Sequence, residues 1–423
     1  MSGDPEPAGR AAELRRALIV LCITEITSWG VLYYAFPVML TSVAETTGWS
    51  TQIALSAFSV GLLTSAAAAP LVGRLLQRFG PRPVMTAGSV IGVAALCALA
   101  AAPSLPWFFA AWIMVGLAQS GLLYPPAFAA LTRWYGARRL RAITTLSLVA
   151  GLASTVYAPA TSALLTVLDW RQTYLVLAVV LAVVTIPLHA FGLTPAWHHD
   201  EQHGRRRERP VLPRGTLTSR PFVLLVLSMA LAAFGLFGAT LNLVPLLTSR
   251  GVNGTLAATA LGVVGIGQLL GRVGYPALSR HSGAHTRTAV ILAAGALTVA
   301  VLGGLTGPIA AEIAVAVCAG AARGAYTLIQ ATAVSDRWGT ENYATLNGIA
   351  IAPATAMVAV APAGAALLAD GLQSYPYAYY LLAALVLVGA ALALGSRVAR
   401  PVDHQEVSEG PAVDEAGPDP LRR

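Results

Sequence analysis

Arg272 is the residue of this chain whose chemistry differs most from its surroundings. It stands in Gly265-Ile266-Gly267-Gln268-Leu269-Leu270-Gly271-Arg272-Val273-Gly274, inside an apolar run over roughly residues 255–277. A run of that length crosses a bilayer as a helix. Its guanidinium keeps its proton at any ordinary pH. At the centre of a membrane helix such a charge costs about 2.5–3.5 kcal/mol or more, so it must face protein or a watery cavity. A fixed cation in an apolar pocket suits an anionic ligand. Gly265, Gly267, Gly271 and Gly274 are expected to let neighbouring helices approach closely. Two more ionisable groups lie deep, Glu25 in the first apolar run and Arg323 in the tenth. A buried carboxyl group is a candidate proton carrier. Glu25 and Arg323 could equally be ion-paired struts between helices.

Composition says what must position these residues. Of 423 residues, 56% are hydrophobic and 11% charged, where a soluble domain carries about 25%. Mean hydropathy is +0.67. An all-α integral membrane protein follows. The net charge of +8 is carried by 27 basic residues, all of them arginine. Of these, 23 fall in one set of loops and termini, 2 in the opposite set (Arg171 and Arg250) and 2 inside spans. That bias is the positive-inside pattern, not a nucleic-acid surface, and predicts both termini in the cytoplasm. The expected location is a bacterial-type cell (plasma) membrane. Cys22, Cys97 and Cys318 fall in apolar runs and read as small buried hydrophobes. The first apolar run, after Arg10, Arg15 and Arg16, is too long for a cleaved signal segment. The sequence offers no nucleophile–base set, metal cluster or phosphate-binding glycine loop, so neither an enzyme nor a cofactor is expected.

Twelve spans are predicted, at about 17–42, 51–72, 83–102, 106–131, 142–167, 171–193, 221–248, 255–277, 287–306, 308–334, 343–369 and 375–396. They divide the chain into a disordered N-terminus (1–14), a six-helix half (15–193), a cytoplasmic linker (194–220), a second half (221–396) and a disordered tail (397–423). The linker carries His198, His199 and His203, too few ligands for a metal site, and the run Arg205 to Arg209. Gly48-Trp49-Ser50 and Asp169-Trp170-Arg171 read as interfacial aromatics beside helix caps. A duplication is visible. Gly30 and Pro37 match Gly238 and Pro245 at an offset of 208; Arg78 matches Arg280 at 202. Arg133-Trp134 matches Arg337-Trp338 at 204, and Ala158-Pro159 matches Ala361-Pro362 at 203. Parallel six-span repeats build the major facilitator architecture, with the ligand site between the halves.

Gly73-Arg74-Leu75-Leu76-Gln77-Arg78-Phe79-Gly80-Pro81-Arg82 resembles the major facilitator loop signature between spans two and three. That resemblance implies a gating latch at Gly73, Gln77, Arg78, Gly80 and Arg82, with Gln77 where the family usually has aspartate. Ser28-Trp29-Gly30, Tyr34-Ala35-Phe36-Pro37 and Trp134-Tyr135-Gly136-Ala137-Arg138-Arg139 resemble the monocarboxylate porter branch, which includes oxalate/formate-type exchangers. In that branch Gln268 to Arg272 matches the place of the substrate arginine. The departures are Val38 for a lysine, Gln268 for an aspartate, and Glu25 displaced by one position. Lactate–proton symport is therefore not implied.

Tyr33, Tyr34, Gln119, Tyr124, Tyr157, Asn242, Gln268 and Gln330 are the other polar groups at depth. Substrate cavities need a few such groups among apolar walls. With Arg272, the expected substrate-binding set is Tyr34, Tyr124, Gln268 and Asn242. Glu312 reads as an interfacial charge and His189 as a snorkelling polar residue. The expected function is secondary active transport of a small organic anion, a carboxylate, by alternating access. Ion coupling (a proton) or exchange would drive it, and a monomer is expected. The alternatives are an efflux carrier for a drug or hydrophobic metabolite, and a transport-fold sensor.

Overall fold

The structure, a computed structural model, describes residues 8–197 and 215–398. His198, His199, His203, the basic run Arg205 to Arg209 and most of the expected loose termini lie outside the described residues. The first span comprises α1 (Ala8–Trp29), a π-helical stretch (Gly30–Tyr34) and α2 (Ala35–Thr47). Then come α3 (Thr51–Phe79), α4 (Pro81–Ala100), α5 (Leu105–Leu122), α6 (Tyr124–Tyr135), α7 (Arg139–Ala150), α8 (Ala153–Leu165) and α9 (Trp170–Pro187). After the linker follow α10 (Arg220–Leu241), α11 (Leu243–Ser249), α12 (Gly254–His281) and α13 (Ala284–Gly304). The chain continues through α14 (Ile309–Thr332), α15 (Ser335–Trp338), α16 (Tyr343–Gly371) and α17 (Tyr375–Leu394).

Among the described residues, eleven helical stretches are long and apolar enough to cross a membrane. The longest, Leu105–Leu165, has 61 residues. At about 1.5 Å per residue it would reach about 90 Å, three times the hydrocarbon core. Gly136 interrupts it at φ +50°, a conformation that needs glycine. The stretch therefore holds spans four and five, which gives twelve.

Two breaks fall at matching places in the repeat. Proline donates no N–H, so Pro37 and Pro245 leave the carbonyls four residues earlier, at Tyr33 and Leu241, without their helical partner. The π stretch ends at Tyr34 and the later break falls at Asn242. Their separation, 242 − 34 = 208, equals that of Gly30 and Gly238. Span endings also follow the sequence. The Ser50 side chain accepts from the Ile53 N–H, and Asp169 forms a capping box with Gln172.

Small residues set the helix spacing. A Cβ at Gly267 or Gly271 would overlap the backbone of α14, and one at Gly320 or Gly324 would overlap α12. Gly265 and Gly274, expected to do the same, meet no neighbour within 4 Å. Position 265 is two residues from 267, on the far side of a helix with 3.6 residues per turn.

Other expectations are corrected. Cys22 is buried, but Cys97 and Cys318 are exposed. Glu312, in the first turn of α14 as expected of a charge near the span end, is buried rather than exposed and pairs with Arg250 at 3.5 Å. His189 does not snorkel; it is fully buried, 2.8 Å from the Ser89 hydroxyl.

Candidate substrate cavity

A cavity of about 170 Å³ lies where residues from both halves of the chain meet. The first half contributes Trp29, Tyr33, Tyr34, Gln119, Tyr124 and Phe128 to its wall. The second contributes Phe237, Gln268, Arg272, Arg323, Gln330 and Asn347. Of the expected binding set, Arg272, Tyr34, Tyr124 and Gln268 are thus brought together, and Arg323 joins them. Among the described residues, its wall contains no Asp or Glu.

The tyrosines reach the wall because the helix is irregular there. A π turn holds more residues than an α turn, and such turns are frequent at functional sites. It presents the consecutive residues Tyr33 and Tyr34 to one space. Gln119 pins the stretch by donating Nε2 to the Leu32 carbonyl at 2.9 Å. On its other side Gly30 lies against the Tyr157 ring, so that any Cβ would overlap it. Tyr157, which is not part of the wall, donates its hydroxyl to Thr27 Oγ1 at 3.2 Å.

Tyr124 begins α6 after an extended residue, Leu123 (ψ −173°), ahead of Pro125 and Pro126. Its ring centroid is 4.9 Å from that of Trp29 and stacks on Phe128, also at 4.9 Å. The first half therefore offers an aromatic wall.

The second half offers cations. Arg272 is 5% exposed, donates Nη1 to the Ser147 carbonyl at 2.6 Å, and has a buried Nε without a partner. The Arg323 guanidinium sits 4.0 Å over the Phe237 ring, and Tyr33, Tyr34 and Arg272 line the same cavity.

Two expected members stand apart. Asn242 is not in the wall; its Nδ2 donates to the carbonyls of Gly238 at 2.9 Å and Pro362 at 3.1 Å. It satisfies the backbone at the break that Pro245 creates. Glu25 is fully buried behind Trp29, and neither carboxylate oxygen has a hydrogen-bond partner. The strut pairing Glu25 with Arg323 is not formed.

The expected latch is mostly helix rather than loop. Gly73, Gln77 and Arg78 lie in the last turns of α3, Gly80 caps it at φ +81°, and exposed Arg82 opens α4. A Cβ at Gly73 would stand 2.5 Å from the Ala344 carbonyl, and one at Gly348 would stand 2.6 Å from that of Ala69. Gln77 donates Nε2 to the Glu341 carbonyl at 2.7 Å, a bond that an ionised aspartate could not donate. Arg78 lies 4.9 Å from the Phe79 ring centroid. Trp197 packs on Gly80 and donates Nε1 to the Gln77 carbonyl at 3.3 Å.

Beside these contacts, Asp336 binds Arg139 of the first half at 2.8 Å and also Arg287 of its own. Arg139 Nε donates to Ser335 Oγ at 3.3 Å. Hydrogen bonds and ion pairs between the halves, among the described residues, run from the Arg272–Ser147 contact toward the arginine-rich end. These bonds join the two halves on that side of the cavity.

Sequence reasoning missed Asp336, Asn347 and Ser147. An acid directly before Arg337-Trp338, on the strongly basic face, was the available signal for Asp336.

Twelve apolar spans around a cavity that carries two cations among aromatic walls, with the halves bonded together at one end, are the architecture of a multi-pass membrane transporter. The chain belongs to the Major Facilitator Superfamily, whose family model matches residues 20–350. That superfamily is one of transporters, not enzymes. Monocarboxylate transporter 11 of Mus musculus is 28% identical over 230 residues, covering 54% of this chain and 50% of the relative. The chain thus spans about half the length of that relative and of its Homo sapiens counterpart. Monocarboxylate transporter 3 of Rattus norvegicus is 25% identical over 341 residues, covering 77% of this chain and 68% of the relative. Among solved structures, the E.coli fucose:proton symporter matches with a TM-score of 0.69 at 14% identity, covering 90% of this chain and 98% of that one. At that identity the likeness is one of fold.

Proposed function

We propose that this transporter carries a small organic anion, a carboxylate, by alternating access. The observation that carries the reading is Arg272, a cation in the cavity wall with no carboxylate partner among the described residues. Its planar fork suits a carboxylate held through two charge-assisted bonds. Relatives called monocarboxylate transporters support the same class. Tyr34, Tyr124 and Gln268 complete the binding set, and Glu25 is the proton-coupling group.

The halves, residues 15–193 and 221–396, rock about this site as a monomer. The arginine-rich end faces the cytoplasm of a bacterial-type cell, so the state described is closed inward. Gly73, Gln77, Arg78, Gly80 and Arg82 form the gating latch.

The experiment is counterflow of labelled carboxylates in proteoliposomes, with Arg272→Ala as control. Exchange by the wild type and none by the variant is the expected result. Equal exchange by both would remove Arg272 from the site. The aromatic wall of Trp29, Tyr124 and Phe128 favours a second reading, export of a bulky amphiphile. That carrier would ignore small acids in the same assay.

A further inference from the structure

We propose that the cavity binds a small organic dianion, with Arg323 as the second anion-holding group beside Arg272. This rests on the reading of Arg272 as the anion site and adds a substrate class to it. Arg272 and Arg323 are the charged residues of the cavity wall, and both are cations.

Their placement follows from the packing of two helices. Gly271 of α12 and Gly324 of α14 are points where the two backbones meet, and each glycine is the chain neighbour of one arginine. The contact that joins α12 to α14 therefore brings both guanidiniums to the same side of the cavity.

Elsewhere in this half, Arg250 pairs with Glu312 and Arg287 with Asp336, while the part-buried Arg337 donates to Ser396, Ala333 and Thr288. Arg272 and Arg323 line the cavity and have no acid partner among the described residues. Arg272 gives one nitrogen, Nη1, to the Ser147 carbonyl. Arg323 rests on the Phe237 ring, which steadies a cation without taking its hydrogen bonds. Two like charges around one poorly screened space repel each other. A monocarboxylate neutralises one of them and leaves the other facing it. A body with two acidic groups neutralises both and gives each guanidinium a charge-assisted bond. Tyr34 and Tyr124 line the same space and offer aromatic surface to the body between the charges.

The test uses the full chain in lipid nanodiscs at neutral pH, with equilibrium binding of malonate, succinate and glutarate against propionate. The wild type is expected to bind the best of the three dicarboxylates at least about tenfold tighter than propionate. Arg323→Gln should bring that ratio close to one. Arg323→Lys, which keeps a charge, should retain most of it and guards against a folding artefact. A wild type that prefers propionate, or a ratio unchanged in Arg323→Gln, overturns the dianion assignment while leaving Arg272 as the anion site. If the wild type binds none of these acids, or Arg272→Gln binds them as well as the wild type does, the underlying anion reading falls with it.

Discussion

Arg272 donates Nη1 to the Ser147 carbonyl at 2.6 Å, so a residue of the cavity wall also ties α12 to α7. One guanidinium thus faces the cavity and joins the two halves. On the proposed anion reading, a ligand that draws it inward would compete with the tie and so link occupancy to opening.

Lysine could serve only one of those roles, because an ammonium is a point charge without the planar fork. Arg272→Lys should therefore fold and bind weakly while losing transport rate by at least about tenfold, or about 1.4 kcal/mol. Arg272→Gln should abolish anion counterflow at near-normal expression. Both are read by counterflow beside size-exclusion chromatography. A lysine variant working at wild-type rate would contradict the dual role.

The latch makes a prediction of its own. A Cβ at Gly73 would stand 2.5 Å from the Ala344 carbonyl, and helix backbone cannot yield as a flexible side chain can. Overpacking of this kind costs about 1–3 kcal/mol. In Gly73→Val that cost falls on the state closed at the arginine-rich end, and the population shifts away from it. Transport should drop about tenfold or more with membrane insertion intact. A cysteine placed at the wall residue Ser65 should label faster from the arginine-rich side. Asp336→Asn should act in the same direction but less, by about 1 kcal/mol, because its ion pairs are partly exposed. Unchanged labelling in Gly73→Val would leave these residues with only their positive-inside role.

The spans were readable because apolar length is a bulk property of the chain. Arg272 was readable because a permanent charge in such a run has no cheap explanation. Asn242 looked the same by type, yet its amide is taken up by the backbone of Gly238 and Pro362. Only the position of Pro245, three residues on, hinted at that use. Gly267 and Gly271 share a helix face whereas Gly265 does not, which the spacing held but a count of glycines hides. Asp336 could not be placed without knowing that Arg139, 197 residues earlier, stands beside it. Long-range pairings of that kind leave no local pattern.

Topology follows from the arginine asymmetry. Thr46 lies at the end of α2, and Ser219 directly precedes α10. Single cysteines at these positions should react with an impermeant thiol reagent from opposite faces of the membrane, Ser219 from the cytoplasmic one. Labelling of both from one face would sink the twelve-span order.

Glu25 gives the sharpest prediction about energy coupling. Its carboxyl is fully buried, no basic residue pairs with it among the described residues, and both oxygens lack hydrogen bonds. An acid in such a place is an unusual expense for a fold that needs only a helix contact there, which favours a functional role. It lies one helical turn before Trp29 of the cavity wall, whose ring centroid is 4.9 Å from that of Tyr124. If Glu25 carries the coupled proton, loading the proposed anion site and changing the proton content at position 25 would be connected through these neighbouring side chains. Glutamine matches the side chain in size but can neither take up nor release a proton. In Glu25→Gln, net uptake driven by a pH gradient should fall at least about tenfold. Counterflow should persist, since exchange requires no net proton release. The measurement compares gradient-driven uptake with counterflow in the same proteoliposomes. If both processes fall together, with the protein folded, Glu25 belongs to the framework of α1 and proton coupling must be sought elsewhere.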